Sequence, residues 1–134
     1  MKFIIVDDDP LNNKLCRHIL KITTSGSEIS DYLYPSEALD FIKSTKLETE
    51  DDASSIIFLD LNMPLISGWD FLDVFSQFDD RIKAQYKIYI LSSSIDERDK
   101  ERARKNPHVL QFISKPLTKD KVKAIIENQI NGEK

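Results

Sequence analysis

The sequence has little of what marks secreted or membrane proteins. Its 134 residues include one cysteine, Cys16, which excludes an internal disulfide and favours a reduced, cytoplasmic setting. No apolar run approaches the roughly 20 residues that a membrane-spanning helix needs. The first residues open directly into a strand pattern rather than a cleavable apolar leader. We therefore expect a soluble protein without membrane insertion.

A strong charge of either sign is also missing. Nineteen basic residues stand against twenty-three acidic ones, which gives a formal net charge of -4. This balance provides no broad positive field for a phosphate backbone or an anionic lipid, so direct binding of nucleic acid is not expected. The length suits one domain, because a chain of this size buries roughly two thirds of its unfolded surface. We expect residues 1–134 to form a single folded unit.

Four apolar runs each lead into chemically reactive residues. Continuous apolar runs are typical of buried parallel strands, and such sheets place their binding sites where the carboxyl ends of the strands meet. The sequence therefore predicts that carboxylates, hydroxyls and an ammonium group converge at one edge. The runs and their reactive ends are 3–6 with Asp7, Asp8 and Asp9, 56–59 with Asp60, 88–91 with Ser92, Ser93 and Ser94, and 109–113 with Lys115 and Pro116.

Segments of helical period separate these runs. Such alternation predicts an α/β domain with a parallel sheet covered on both faces. The first helix is expected to follow a cap at Asp9 and a proline at its first turn, Pro10. Apolar residues then recur at spacings of three and four, and we expect them to face the core. They are Leu11, Leu15, Ile19 and Ile22.

Three further segments have distinctive patterns. The run 29–34 is more polar than the other strands and is expected at the edge of the sheet. Asp96 is expected to cap a fourth helix so charged that only Ile95 and Ala103 look inward. The acidic stretch 46–55 has no apolar period, which predicts a surface loop.

Five strand–helix units with right-handed crossovers leave few topologies. The most economical is the flavodoxin-like order 2-1-3-4-5, a (βα)5 three-layer sandwich with a parallel five-stranded sheet. Its switch point lies between the first and third strands, so Asp7 and Asp8 would face Asp60 across one crevice. Three close carboxylates repel each other unless a cation lies among them or some take up protons. Mg²⁺, or Mn²⁺, prefers oxygen ligands and suits such an open acidic crevice.

An acidic crevice with a nearby lysine also suits phosphoryl transfer to a carboxylate. The acyl phosphate needs a cation, a cationic side chain and hydrogen-bond donors in fixed places. Asp60 is the best nucleophile because it is the lone carboxylate of its loop, whereas the pair Asp7 and Asp8 suits metal binding. The phosphate oxygens would be held by Lys115, by the Ser92 hydroxyl and by a neighbouring backbone N–H, taken as that of Ser93.

Four motifs in this order resemble the receiver domain of two-component response regulators. They are Ile-Ile-Val-Asp-Asp-Asp-Pro at 4–10, Phe-Leu-Asp-Leu-Asn-Met-Pro at 58–64, Tyr-Ile-Leu-Ser-Ser-Ser at 89–94 and Phe-Ile-Ser-Lys-Pro at 112–116. The match spans essentially the whole chain. It implies a stand-alone receiver domain without an output domain, which accepts a phosphoryl group from a histidine kinase or histidine phosphotransfer protein. The product would switch contacts with a downstream protein or relay the phosphate.

The same resemblance implies a role for each site residue. Asp60 is the phosphoacceptor. The metal ligands are Asp7, Asp8, Asp60 and the main-chain carbonyl of Asn62. Lys115 pairs with Asp60 or with its phosphate. The domain would catalyse its own phosphorylation and dephosphorylation and would not act as an enzyme on a separate substrate.

Switching in the family uses a hydroxyl and an aromatic residue, here Ser92 and Phe112. The family more often has Thr and Tyr at these positions, so this chain keeps a hydroxyl donor and a ring but lacks the methyl and the phenol. Asn62 and Ser94 flank the expected path of an attacking water and are expected to tune the lifetime of the acyl phosphate. The Lys115–Pro116 peptide bond is expected to be cis.

Two other classes of function remain open. A receiver-like interaction module that works without phosphorylation would be expected to have lost an acid or the lysine, and all are present. An Mg²⁺-dependent phosphohydrolase working through an aspartyl phosphate usually has a second acid two residues after the nucleophile and a lid domain. This chain has Asn62 at that position and no spare length for a lid. We therefore rank the module above the hydrolase and both below the switch.

Overall fold

A computed structural model gives the structure of residues 1–45 and 55–131, in which parallel strands alternate with helices. The strands are β1 (Lys2–Val6), β2 (Glu28–Tyr32), β3 (Ser55–Leu59), β4 (Tyr86–Ser92) and β5 (Val109–Ser114). The helices are α1 (Pro10–Thr23), α2 (Pro35–Lys43), α3 (Gly68–Ser76), α4 (Asp80–Lys83), α5 (Glu97–Lys105) and α6 (Lys119–Asn131). The predicted loop at 46–55 lies outside the described residues, except that Ser55 opens β3.

The strand order is β2-β1-β3-β4-β5 and every pair is parallel, which confirms the predicted topology. β1 and β3 are neighbours, and Val6 pairs with Leu59. The residues that follow, Asp7 and Asp60, therefore leave the sheet side by side. The more polar strand β2 lies at an edge, as predicted.

Helices cover both faces of the sheet and make a three-layer sandwich. Successive strand residues point to opposite faces, so Phe3 and Ile5 lie in one core cluster while Ile4 and Val6 lie in the other. The first cluster includes residues of α1 and α6, and the second includes residues of α2, α3 and α5. Among the described residues, none of the helices combines the length and the apolar character that crossing a membrane requires.

The prediction of which residues of α1 face the core is wrong. Leu11, Leu15 and Ile22 are 62%, 54% and 51% exposed, and of the predicted stripe only Ile19 is partly buried. The buried residues of α1 are Asn13, Cys16 and Leu20. Asn13 donates its side-chain N–H to the main-chain carbonyl of Asp7 at 3.0 Å, so a specific hydrogen bond helps to set which side of the helix faces the sheet.

Two details of the charged segments differ from expectation. Ala103 is buried and Asp96 caps α5, as predicted, but Ile95 is 87% exposed because it lies in the extended loop before the cap. The short helix α4 was not predicted, since four residues carry no readable period. Asp79 caps α4 and Ile82 is its buried residue. The fourth predicted helix is therefore α5 in the structure.

Gly68 brings the start of α3 against the loop that carries Asp60. Its N–H donates to the main-chain carbonyl of Leu61 at 2.9 Å. A Cβ atom at this position would lie 2.5 Å from the carbonyl oxygen of Asp60 and 2.9 Å from the Cα of Leu61. Both neighbours are backbone atoms, so a side chain at Gly68 would displace either the helix or the loop.

Replacing Gly68 with alanine should therefore destabilise the protein, by about 1–3 kcal/mol. Urea denaturation measures the free energy of unfolding. The matched control is Asp73→Ala on the exposed side of the same helix, which should stay within about 0.5 kcal/mol of the native chain. An unchanged midpoint for Gly68→Ala would contradict the close packing of α3 on this loop.

Candidate functional site

Three carboxylates converge at the carboxyl edge of the sheet. Asp7 and Asp8 follow β1, Asp60 follows β3, and one oxygen from each lies within 4.8 Å of the others. We call these residues the acidic cluster. Asp7 is 2% and Asp60 6% exposed, whereas Asp8 is more open to solvent. Three hard oxygen donors at this spacing fit a magnesium ion, because its preferred ligands are carboxylates and water.

Lys115 reaches the acidic cluster from the end of β5. Its Nζ atom lies 2.7 Å from Oδ2 of Asp7 and 3.7 Å from Oδ1 of Asp60. The ammonium group therefore pairs more closely with Asp7 than with the expected partner Asp60. Burial acts to lower the pKa of Lys115, but the hydrogen bond and charge of Asp7 and the charge of Asp60 outweigh it and raise that pKa.

Burial and charge together make Asp60 harder to ionise than a solvent-exposed aspartate. Desolvation is the larger cause and the charge of Asp7 the second, and they raise the pKa of Asp60 from 3.8 to about 6. Lys115 and the backbone N–H groups of Leu61 and Asn62 act in the opposite direction. Added positive charge at this site would therefore stabilise the ionised form of Asp60.

A backbone hydrogen bond between two strands positions Lys115. Its N–H donates to the main-chain carbonyl of Ser92 at 3.0 Å, which joins the ends of β4 and β5. The Lys115–Pro116 peptide bond is cis. Both strands therefore contribute to holding the ammonium group over the acidic cluster.

Sequence reasoning missed two amides of α1 that hold Asp7. The Asn12 side chain donates to Oδ2 of Asp7 at 2.8 Å, and the Asn13 side chain donates to its main-chain carbonyl at 3.0 Å. The N–H of Asp9 donates to Oδ1 of Asp7 at 2.9 Å. One signal in the sequence could have indicated these contacts: a pair of asparagines lies in the first turn of a helix that begins at the site. An apolar inner face was expected there instead.

A chain of hydrogen bonds leads from Ser92 to α5. Ser92 is completely buried, and its hydroxyl accepts from the N–H of Ser94 at 3.1 Å. The Ser94 hydroxyl donates to Oδ2 of Asp99 at 2.7 Å and accepts from the N–H of Asp96 at 3.2 Å. Asp99 lies in the first turn of α5. Hydrogen bonds therefore join Ser92 to that helix, a link that the sequence did not reveal.

The remaining predicted residues lie around this edge. Ser93 and Asn62 are exposed, each in the loop that follows its strand. Phe112 is partly buried on β5 and packs against the core cluster that includes α3 and α5. On the same side, the guanidinium carbon of Arg102 lies 4.4 Å from the ring centre of Trp69, which joins α5 to α3 by a cation–π contact.

Removing the buried charge of Asp60 should stabilise the metal-free protein in a pH-dependent way. The folded-state pKa lies above the unfolded value, so the folded protein binds more protons between about pH 4 and 6 and loses stability as the pH rises through that window. Asp60→Asn should therefore raise the free energy of unfolding by roughly 1–3 kcal/mol at pH 8, and the gain should fall to about 0.5 kcal/mol or less at pH 4.

Urea denaturation at both pH values, with a chelator present, measures this difference. Asp73→Asn is the control, because it removes an exposed carboxylate of α3. The two variants should differ at pH 8 and agree to within about 0.5 kcal/mol at pH 4. A stabilisation by Asp60→Asn that does not depend on pH would contradict the raised pKa of Asp60.

Comparison with known proteins identifies the family. The family model described as "Response regulator receiver domain" matches residues 3–127. No curated protein shows significant similarity to the chain. Among solved structures, a response regulator receiver protein from Dyadobacter fermentans is 25% identical with a TM-score of 0.87, and 97% of this chain and 98% of that chain are covered.

Two other structures are also similar. A two component response regulator from Cytophaga hutchinsonii is 29% identical with a TM-score of 0.84, and the coverage is 97% of this chain and 96% of that one. A chemotaxis protein from Vibrio cholerae, 21% identical, shares the fold with a TM-score of 0.70 over 95% of this chain and 96% of that one. The chain therefore belongs to the response regulator receiver domain family of two-component signalling.

Proposed function

We propose that Asp60 accepts a phosphoryl group from a phosphohistidine of a histidine kinase or histidine phosphotransfer protein. The proposal is carried by one observation: the buried carboxylate of Asp60 lies within reach of two further carboxylates and of the Lys115 ammonium, at one edge of the sheet. The aspartyl phosphate then alters contacts with a downstream protein or passes its phosphoryl group on.

The transfer exchanges one bond for another. A carboxylate oxygen of Asp60 attacks phosphorus while the P–N bond to the donor imidazole breaks, and the imidazole leaves with the electron pair and takes a proton from solvent. The 3.7 Å distance from Nζ of Lys115 to Oδ1 of Asp60 supports a role for the ammonium in binding a phosphoryl oxygen. We assign two more donors, the Ser92 hydroxyl and the backbone N–H of Ser93.

The acidic cluster is proposed to hold Mg²⁺, or Mn²⁺, through Asp7, Asp8, Asp60 and the main-chain carbonyl of Asn62. When bound, the ion supplies positive charge that neutralises the phosphoryl oxygens. The excess of three carboxylates over the Lys115 ammonium supports this assignment. The charge of Asp7, second to burial, also contributes to the raised pKa of Asp60. Asn62 is exposed beside the cluster and is proposed, with Ser94, to tune the lifetime of the acyl phosphate.

The switch is proposed to start at Ser92. Its hydroxyl now accepts from the N–H of Ser94, and turning toward a phosphoryl oxygen would break that bond. Because Ser94 is bonded to Asp99, the movement would reach the first turn of α5. Phe112 packs on the same side of the sheet and would follow. α5 suits such a response, since Ala103 is its one buried residue.

We further propose that residues 1–134 form a single receiver domain that acts in the cytoplasm through protein contacts. The family match over residues 3–127 and the nearly full mutual coverage with the Dyadobacter fermentans structure support this reading. The surface made by α5, β5 and α6 is the proposed partner face. The domain's own chemistry would be limited to gaining and losing its phosphoryl group.

Incubation with a small phosphodonor and Mg²⁺ should add one phosphoryl group, measured by intact mass. Asp60→Asn should abolish this gain in mass, because Asp60 is the proposed nucleophile. Chelation of Mg²⁺ should also abolish it. Asp73→Asn is the control and should be phosphorylated normally. An Asp60→Asn protein that acquires the same alkali-labile phosphate would reject the assignment. Sustained turnover of a generic phosphate ester would instead favour a phosphohydrolase.

The Ser92→Ala variant should still accept phosphate, but its conformational change should be smaller. The lost hydroxyl removes one hydrogen bond to the phosphoryl group, so the switched arrangement should be roughly 3- to 10-fold less populated. Trp69 fluorescence and hydrogen exchange in α5, with and without beryllofluoride, measure the response. Ser93→Ala is the matched control, because it keeps the proposed backbone donor. Equal responses from the two variants would count against Ser92, and partner binding indifferent to phosphate would favour a phosphorylation-independent module.

A further inference from the structure

We infer that Asn12 is a positioning residue that fixes the carboxylate of Asp7 for metal binding and keeps it fixed when Lys115 turns to the phosphoryl group. The inference deepens the proposed function and rests on it. Asn12 does not touch the phosphoacceptor, so its effect would pass through Asp7.

Three donors hold the carboxylate of Asp7. Oδ1 accepts from the N–H of Asp9 at 2.9 Å. Oδ2 accepts from the Asn12 side chain at 2.8 Å and from Nζ of Lys115 at 2.7 Å. Asp7 is 2% exposed, so little water is available to replace a lost donor. The orientation of this carboxylate is therefore determined by these groups.

Of the three donors, Lys115 is the one with a second partner. Its ammonium is 3.7 Å from Oδ1 of Asp60, and a phosphoryl group on Asp60 would compete for it. Without Asn12, departure of the ammonium would leave a protein donor on only one oxygen of Asp7. The terminal torsion of an aspartate is broad, so a carboxylate held at one oxygen rotates easily. The amide of Asn12 supplies the second attachment.

The amide of Asn12 has a defined orientation. Its Oδ1 atom lies 3.8 Å from Sγ of Cys16, one helical turn further along α1, and accepts from the thiol. Cys16 is 2% exposed, and burial together with the charge of Asp7 raises the pKa of its thiol to about 12. The thiol therefore stays protonated and remains a donor. With Oδ1 engaged by Cys16, the Nδ2 donor of Asn12 faces Asp7.

The docking of α1 does not depend on Asn12. The neighbouring Asn13 is buried and donates independently to the main-chain carbonyl of Asp7, and Leu20 is fully buried in the core. Arg17 ties the helix to β2 through the carbonyl of Ile29 at 3.0 Å. Loss of the Asn12 amide should therefore leave the helix in place, which separates a positioning role from a structural one.

Asn12→Leu tests the inference, because leucine has a similar size and no donor. Mg²⁺ titration by isothermal calorimetry should show affinity weakened by about 10- to 100-fold, the range seen when the hydrogen-bond partner of a metal ligand is removed. At saturating Mg²⁺ the phosphorylation rate should recover to within a few fold of the native rate. Asn12→Gln retains the amide donor and should recover part of the affinity.

Lys14→Leu is the matched control, since Lys14 is exposed on the same helix. Its Mg²⁺ affinity should equal that of the native chain. Unchanged affinity in Asn12→Leu, or an equal loss in Lys14→Leu, would overturn the inference. If the native chain takes up no phosphate at saturating Mg²⁺, the proposed function fails, while the comparison of Mg²⁺ affinities still decides the role of Asn12 at the acidic cluster.

Discussion

Two buried carboxylates share one ammonium group at the edge of the sheet, and the rest of the site depends on this unequal balance of charge. Asp7 and Asp60 have lost nearly all their water, and Lys115 compensates Asp7 at 2.7 Å but Asp60 only at 3.7 Å. The topology imposes this arrangement, because β1 and β3 are adjacent and the backbone of Lys115 is bonded to the end of β4. A fold that separated these strands would remove both the repulsion and its compensation.

This imbalance of charge explains why one site would bind a divalent cation and then a phosphoryl group. Burial, with the charge of Asp7 second, raises the pKa of Asp60. The three carboxylates of the acidic cluster outnumber the Lys115 ammonium, and this excess of negative charge favours binding of a divalent ion. In the proposed function, a bound ion would leave the Lys115 ammonium able to face a phosphoryl group. Under the proposed function, the pairing of Lys115 with Asp7 would be the resting arrangement of the site.

Much of this arrangement could be predicted from the sequence, because buried parallel strands appear as continuous apolar runs and the residues after them must meet at one edge. That logic located Asp7, Asp60 and Lys115 and predicted the strand order correctly. It failed on α1, where the apolar residues Leu11 and Leu15 are exposed while an asparagine is buried. The spacing of apolar residues cannot show that a polar side chain has a hydrogen-bond partner in the core.

The contacts that sequence patterns could not reveal are the ones that join the site to its helices. Asn12 and Asn13 tie α1 to Asp7, and Ser94 with Asp99 ties α5 to Ser92. Each of these contacts is a single hydrogen bond, and no periodic pattern in the sequence predicts it. Because the acidic cluster and the lysine are what the family motifs share, we infer that the individual behaviour of this receiver resides in these helix contacts. These contacts hold Asp7, and in the proposed switch they would decide how far a movement at Ser92 reaches into α5.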